Sequence, residues 1–84
     1  MMMWKNVKDE PPKKNGRYLC YYKSGYFSGI MICKFAINLE QVDKYDFCGD
    51  NRSGWYNYDS EYGYCECEDI THWMELPPDP YEEV

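Results

Sequence analysis

The chain has 84 residues, of which 44% are hydrophobic and 19% aromatic, and its formal net charge is −6. A chain of this length forms a single domain, residues 1–84, because domains typically contain about 100 to 150 residues. The negative charge disfavours direct binding to duplex DNA, whose affinity for proteins comes largely from Lys and Arg. No run approaches ~18 consecutive apolar residues, so we expect no membrane span.

The chain begins with a segment that we expect to be an extended lead-in. Residues 1–16 have no hydrophobic periodicity and contain the breaker pair Pro11-Pro12. Trp4 and Val7 are the only side chains that could anchor this segment to a core.

Four stretches have the composition and alternation of β-strands. RYLCYYKS (residues 17–24) and YFSGIMICKFAI (26–37) predict a hairpin, in which Gly29 indicates a bulge or a tight twist. WYNYD (55–59) predicts a third strand, and YCECEDITHWME (64–75) contains a fourth.

The connections complete the predicted fold. Residues 38–54 predict a short helical turn or an irregular crossover, and loops of this length are often functional. From Pro77 onward the prolines forbid sheet pairing, so residues 77–84 predict an extended, Pro-rich acidic tail. The predicted class is mainly β (or α+β), with a single small antiparallel sheet or partly open barrel of four or five strands and at most one short helix.

Five cysteines and one histidine raise the question of metal binding. The start of the chain lacks the apolar run of a secretory signal, so we expect a cytoplasmic protein with reduced, mostly buried thiols. Cys48, Cys65, Cys67 and His72 match a tetrahedral zinc set by residue type and remain an alternative. Structural zinc usually uses Cys-x₂₋₄-Cys pairs, which are missing here, so we expect no metal and no cofactor.

Four stretches also carry a resemblance to a known family. They are WKNVKDEPP (residues 4–12), GRYLCYY (16–22), GWY (54–56) and the closing ITHWMELPPDP (70–80). In these the chain resembles a family of small bacterial and phage proteins called domain of unknown function 551, whose members close on Thr-His-Trp-Met-x-Leu-Pro. The resemblance implies a soluble protein of phage or prophage origin with a small α+β or all-β fold. It implies no established activity.

His72 allows three interpretations: a structural histidine, a ligand contact or a catalytic base. A base needs a nucleophile within hydrogen-bond reach, and no recognisable nucleophile motif accompanies this single imidazole. We therefore favour a structural histidine and a protein that is not an enzyme.

The remaining signal is aromatic density in GWYNYDSEYGY (residues 54–64). On alternating strands only half of these rings can face one core, and exposed Tyr and Trp are typical of binding surfaces. Nucleobases stack on such rings, while basic side chains can meet phosphates. The ordinary alternative is that Tyr serves here only as a strand former. The predicted ligand-binding residues are Arg17, Lys23, Arg52, Trp55, Tyr56, Tyr58, Tyr62 and His72.

We therefore expect a non-enzymatic phage or prophage accessory protein that counters host defence by sequestering a nucleotide-like ligand. One alternative is an acidic inhibitor that mimics nucleic acid and binds a host defence or DNA-binding protein through Glu61, Glu66, Glu68 and Asp69. A second alternative is a purely structural small phage protein. If a phage encodes the protein, its location is the host cytoplasm, and tyrosine-rich sheet edges make a homodimer a reasonable expectation.

Overall fold

The computed structural model describes residues 3–77, in which six strands form one antiparallel sheet. Their order across the sheet is β1-β6-β2-β3-β4-β5. The strands are β1 Lys5–Asn6, β2 Gly16–Ser24, β3 Phe27–Ala36, β4 Gly54–Asp59, β5 Gly63–Glu66 and β6 Ile70–Glu75. A 3-10 turn at Leu39–Gln41 is the one helical element in this part of the chain. The predicted mainly β fold with a single antiparallel sheet is confirmed, and the sheet is open rather than closed into a barrel.

The sheet has six strands where four or five were predicted. The stretch predicted to contain the fourth strand holds both β5 and β6, because residues 67–69 leave the sheet between them. The other addition, β1, lies in the predicted extended lead-in and pairs Lys5 with Trp73 and Asn6 with His72. Of the predicted tail at 77–84, all but Pro77 lies outside the described residues.

The two long strands β2 and β3 form the hairpin that the sequence predicted. Their loop has two residues, and Gly25 at its first position has a φ of +61°, which fits a type II′ turn. Gly29 pairs with Tyr22 in regular register, so no bulge occurs there. A Cβ on Gly29 would lie 3.0 Å from the Tyr22 hydroxyl, and the glycine therefore makes room for this ring. The register irregularity lies instead between β2 and β6, after Tyr21.

The first face of the sheet carries the main core. Its buried members are Tyr18, Cys20, Cys33, Phe35, Trp55, Ile70 and Trp73. The segment between β1 and β2 is fastened to this core by two hydrogen bonds. The Trp73 indole N–H donates to the Glu10 carbonyl at 2.7 Å, and the Tyr18 hydroxyl donates to the Lys14 carbonyl at 2.9 Å.

The second face is covered at one end by the β3–β4 loop, residues 37–53. Leu39 and Phe47 of this loop are buried and form a second core cluster with Ala36. The loop closes on itself where the Leu39 N–H donates to the Arg52 carbonyl at 2.9 Å. The loop therefore covers the second face only as far as β3, and it leaves the rest of this face uncovered.

An open face remains on β2, β3 and β6, formed by Leu19, Tyr21, Ile30, Ile32 and His72. The register places Ile32 opposite Leu19, and it places both Ile30 and His72 opposite Tyr21. Ile30 is 61% exposed and Ile32 49% exposed, which is high for paired strand isoleucines. A sheet face with exposed apolar residues is a place where a ligand or partner can bind.

Candidate ligand-binding site

An apolar pocket lies where the open face meets β1, and Trp4, Tyr21 and His72 line it. The ring centroids of Trp4 and Tyr21 are 6.2 Å apart and their planes are inclined at 67°. Those of Tyr21 and His72 are 6.5 Å apart and inclined at 70°. The pocket has a volume of about 260 Å³. Three aromatic rings thus surround a space open to solvent.

Strand pairing positions each of the three rings. Tyr21 and His72 stand directly opposite one another on β2 and β6, and His72 also pairs with Asn6 of β1. Trp4 immediately precedes β1, so the pairing of this short strand brings its ring beside Tyr21. The site therefore depends on the lead-in segment as well as on the hairpin.

Thr71 fastens the polar side of the site. Its hydroxyl donates to the Tyr21 carbonyl at 3.2 Å, and His72 Nδ1 lies 2.9 Å from the same hydroxyl oxygen. The hydroxyl thus links β6 to β2 at the register irregularity between them. The contact with Thr71 therefore holds the His72 ring through Nδ1, and the same ring lines the pocket.

Two basic residues predicted to meet phosphates lie on the same strand as Tyr21. Alternation along β2 places Arg17 and Lys23 on the side of the sheet that carries Tyr21. Lys23 is two residues from Tyr21, which is roughly 7 Å along a strand. Within residues 3–77, neither cation has a carboxylate within ion-pairing distance.

The predicted aromatic residues of β4 and its turn are dispersed. Trp55 is only 7% exposed in the first-face core, where its ring lies 4.9 Å from that of Phe35, so it offers no surface for stacking. Tyr56 packs against the β3–β4 loop, and burial raises its pKa. Tyr58 and Tyr62 are exposed, but β2 and β3 separate β4 from β6. Three strand spacings of ~4.8 Å separate the strands of Tyr58 and His72 by roughly 14 Å.

The profile of the family described as "Protein of unknown function (DUF551)" matches residues 3–81. The chain belongs to this family. No curated protein and no solved structure shows significant similarity to it. For this DUF551 member, the described part of the chain contains no helix that is long and apolar enough to cross a membrane.

The alternative zinc set of Cys48, Cys65, Cys67 and His72 is not assembled in this DUF551 domain. Cys48 lies exposed in the β3–β4 loop and Cys65 lies exposed on β5. Cys67 packs against the first-face core, whereas His72 lines the pocket on the opposite face. Among residues 3–77 no three His, Cys, Asp or Glu side chains are grouped to hold a metal ion.

Cys20, Cys33 and Cys67 instead contribute to the first-face core. The neighbouring thiol of Cys20, together with burial, raises the pKa of Cys33 to about 12. The neighbouring thiol of Cys33, followed by burial, also raises the pKa of Cys67. The thiols of Cys33 and Cys67 therefore stay protonated at neutral pH, which disfavours nucleophilic or metal-binding roles for these two residues.

Trp4 and Tyr21 were not among the predicted ligand-binding residues. Alternation in β2 places Tyr21 on the opposite face of the strand from Tyr18 and Cys20. It does not tell which of the two faces is buried by the rest of the protein. Trp4 was predicted only as an anchor of the lead-in. The two-residue strand β1 is too short to produce a periodic pattern, so no sequence pattern indicates that Trp4 lies beside the sheet.

Proposed function

We propose that this protein is a non-enzymatic binding protein that sequesters a small nucleotide-like ligand on the open face of its sheet. The observation that carries the proposal is the pocket of three rings, Trp4, Tyr21 and His72. Among residues 3–77 the pocket is lined by Trp4, Tyr21 and His72, so the described lining offers stacking area rather than a Ser, Cys or carboxylate nucleophile. Stacking of a base on an aromatic side chain contributes about 1 to 3 kcal/mol.

Size and charge favour a nucleotide over a larger ligand. Sites for drug-sized molecules have volumes of about 300 to 1,000 Å³, so a pocket of about 260 Å³ accommodates one ring system. The remainder of a nucleotide would lie over the open face. Lys23 is the nearer of the two cations on β2 and would meet the phosphate, while Arg17 stands four residues from Tyr21.

Isothermal titration with a panel of linear and cyclic nucleotides tests the proposal. We expect saturable binding, and we expect Trp4→Ala and Tyr21→Ala each to weaken it by about 5- to 150-fold, as loss of one stacking contact predicts. Tyr58→Ala is the matched control, because Tyr58 is also exposed but lies on β4, which β2 and β3 separate from β6. The absence of binding by every nucleotide, or an equal effect of Tyr58→Ala, would contradict the proposal.

The biological setting is a finer part of the same proposal. The resemblance to phage and prophage proteins supports a role in which the ligand is a signal of host defence, removed from the host cytoplasm by binding. Ectopic expression in a bacterium with a nucleotide-dependent defence tests this role. Expression of the intact protein should restore phage growth, whereas the Tyr21→Ala variant should not.

The acidic inhibitor remains a second candidate because acidic side chains are exposed at both ends of β5. Glu61, Glu68 and Asp69 are exposed in the connections that flank β5. Glu66 contributes less free charge, since it is ion-paired with Arg52. This candidate predicts partner binding that weakens steeply with salt and is lost in a Glu61→Gln/Glu68→Gln/Asp69→Asn variant that keeps its nucleotide affinity.

A further inference from the structure

The hairpin of β2 and β3 carries only positive charge. In a chain with a formal net charge of −6, residues 11–39 contain no Asp and no Glu. The charged residues of the two strands are Arg17, Lys23 and Lys34. Alternation places Arg17 and Lys23 on the side of Tyr21, and the register pairs Lys34 with Arg17. All three cations therefore lie on the side of the open face, and the other side of these two strands has no charged residue.

The cations of β2 lie on both sides of the pocket along the strand. At roughly 3.3 Å per residue, Lys23 is about 7 Å from Tyr21 in one direction and Arg17 about 13 Å from it in the other. Side chains stand roughly perpendicular to a sheet, so one phosphate does not contact both cations. Between Tyr21 and Arg17 the face is apolar, formed by Leu19 and by Ile32 opposite it. The row of cations therefore extends beyond the reach of a single nucleotide.

We infer that the ligand is a short single-stranded oligonucleotide. One base occupies the pocket, and the following nucleotides lie along β2 toward Arg17 and Lys34. The inference rests on the proposed function and extends its ligand from one nucleotide to a few. Proteins that bind single strands combine a positively charged track for the backbone with aromatic side chains on which bases stack. The exposed Ile30 and Ile32 add apolar contact beside the track. A duplex is disfavoured, because its paired bases are not free to enter the pocket.

A length series tests the inference by isothermal titration. Its members are TMP and the 5′-phosphorylated dinucleotide and trinucleotide of thymidine. Phosphates that meet Arg17 and Lys34 add charge-assisted contacts, so we expect the trinucleotide to bind at least about 10-fold more tightly than TMP. The logarithm of the binding constant should fall with the logarithm of the salt concentration. We expect a slope of about −2 for the trinucleotide, with three phosphate contacts, and about −0.7 for TMP, with one.

Charge variants test which cations form the track. Arg17→Gln/Lys34→Gln should lower the trinucleotide affinity to that of TMP and bring its salt slope to about −0.7. The TMP affinity of this variant should stay unchanged, which shows that the variant is folded. Lys13→Gln/Lys14→Gln is the matched control, because it removes the same charge from exposed residues that line a separate cavity with Tyr18. An equal loss of trinucleotide affinity in both double variants would overturn the inference.

Other anionic occupants of the open face are distinguished by a trimer of a stable abasic analogue. This trimer has the same phosphates and no bases, so we expect it to bind about 5- to 150-fold more weakly than the trinucleotide. Equal affinity would show recognition by charge alone, as of an acidic peptide or an anionic lipid surface, and would overturn the inference. A second copy of the chain would bring like charges together on this face. A dimer that Ile30→Glu dissociates, measured by sedimentation of the ligand-free protein, would also overturn it.

The outcomes separate this inference from the proposed function. Binding of TMP with no gain for the longer members would overturn the inference while the proposed function stands. Failure of TMP and of both oligonucleotides to bind would overturn the proposed function and the inference with it.

Discussion

Arg52 and Glu66 form a two-point ion pair, in which Arg52 Nη1 to Glu66 Oε2 and Arg52 Nη2 to Glu66 Oε1 are both 2.7 Å. The hydrogen bond and charge of the Glu66 carboxylate raise the pKa of the Arg52 guanidinium. Arg52 lies in the β3–β4 loop and Glu66 ends β5, so the pair ties the cover of the second face to an edge strand. A guanidinium held in this way serves the fold and lies away from the pocket.

This ion pair predicts that Arg52 and Lys23, both expected from the sequence to bind the ligand, differ in their effects on stability and on affinity. Arg52→Ala should lower the Tm slightly, and less at high salt, because exposed ion pairs contribute little to stability. Its nucleotide affinity should remain unchanged. Lys23→Ala should weaken nucleotide binding without a change in Tm. Thermal unfolding and titration of both variants check this, and an affinity loss in Arg52→Ala as large as in Lys23→Ala would contradict it.

Gly54 is predicted to be intolerant of a side chain. A Cβ at this position would lie 2.7 Å from Leu39 Cδ1 and 3.2 Å from Glu66 Oε2. Leu39 is fully buried, so it has no free space into which to move. Gly54→Ala should therefore lower the free energy of unfolding by about 1 to 3 kcal/mol, as overpacking of a core does. Urea denaturation measures this difference.

Gly16 provides the matched control for that variant. A Cβ on Gly16 would lie 3.6 Å from the Tyr18 ring, which is an ordinary van der Waals distance. Gly16→Ala should thus leave stability nearly unchanged. If Gly54→Ala were as stable as Gly16→Ala, the close packing of the β3–β4 loop on β4 would be wrong.

The abundance of β-forming residues predicted the long strands well, although β3 carries apolar residues on both faces. It did not predict which face of β4 is buried, since Trp55 and Tyr56 both follow the period-2 pattern. That choice depends on where the β3–β4 loop and the lead-in lie, and both are irregular segments held by long-range contacts such as Trp73 to Glu10. The candidate site was missed for the same reason. Of its three rings, only His72 was among the residues predicted to bind a ligand.

The five thiols should fall into reactive and protected groups. Cys48 and Cys65 are exposed, whereas Cys20 and Cys33 are buried. Cys67 is half-buried and its pKa is raised, so its thiolate is scarce at neutral pH. Ellman's reagent at pH about 8 should therefore label two thiols rapidly in the native protein and all five in denaturant.

A double variant assigns the reactive thiols. Cys48→Ser/Cys65→Ser should abolish the rapid phase and leave the slow reaction of the other three unchanged. Rapid labelling of a third thiol in the native wild type would show that the first-face core is more open than the structure indicates.

The raised pKa of Cys33 predicts a loss of stability at alkaline pH. In the unfolded chain this thiol ionises near its ordinary pKa of 9.0, whereas in the folded protein the neighbouring thiol of Cys20 and burial raise its pKa to about 12. Between these values the unfolded state releases a proton that the folded state retains. The free energy of unfolding should therefore fall as pH rises from about 9 toward 12.

Urea denaturation at a series of pH values measures this fall, and Cys33→Ser is the control. A serine hydroxyl can replace the thiol as donor to the Tyr56 carbonyl, which lies 3.5 Å from Cys33 Sγ, but it does not ionise in this range. The variant should thus lose stability with pH less steeply than the wild type, because the other titrating groups are common to both proteins. Identical slopes would mean that Cys33 ionises equally readily in the folded and unfolded chains, and they would contradict its burial among the thiols of the first face.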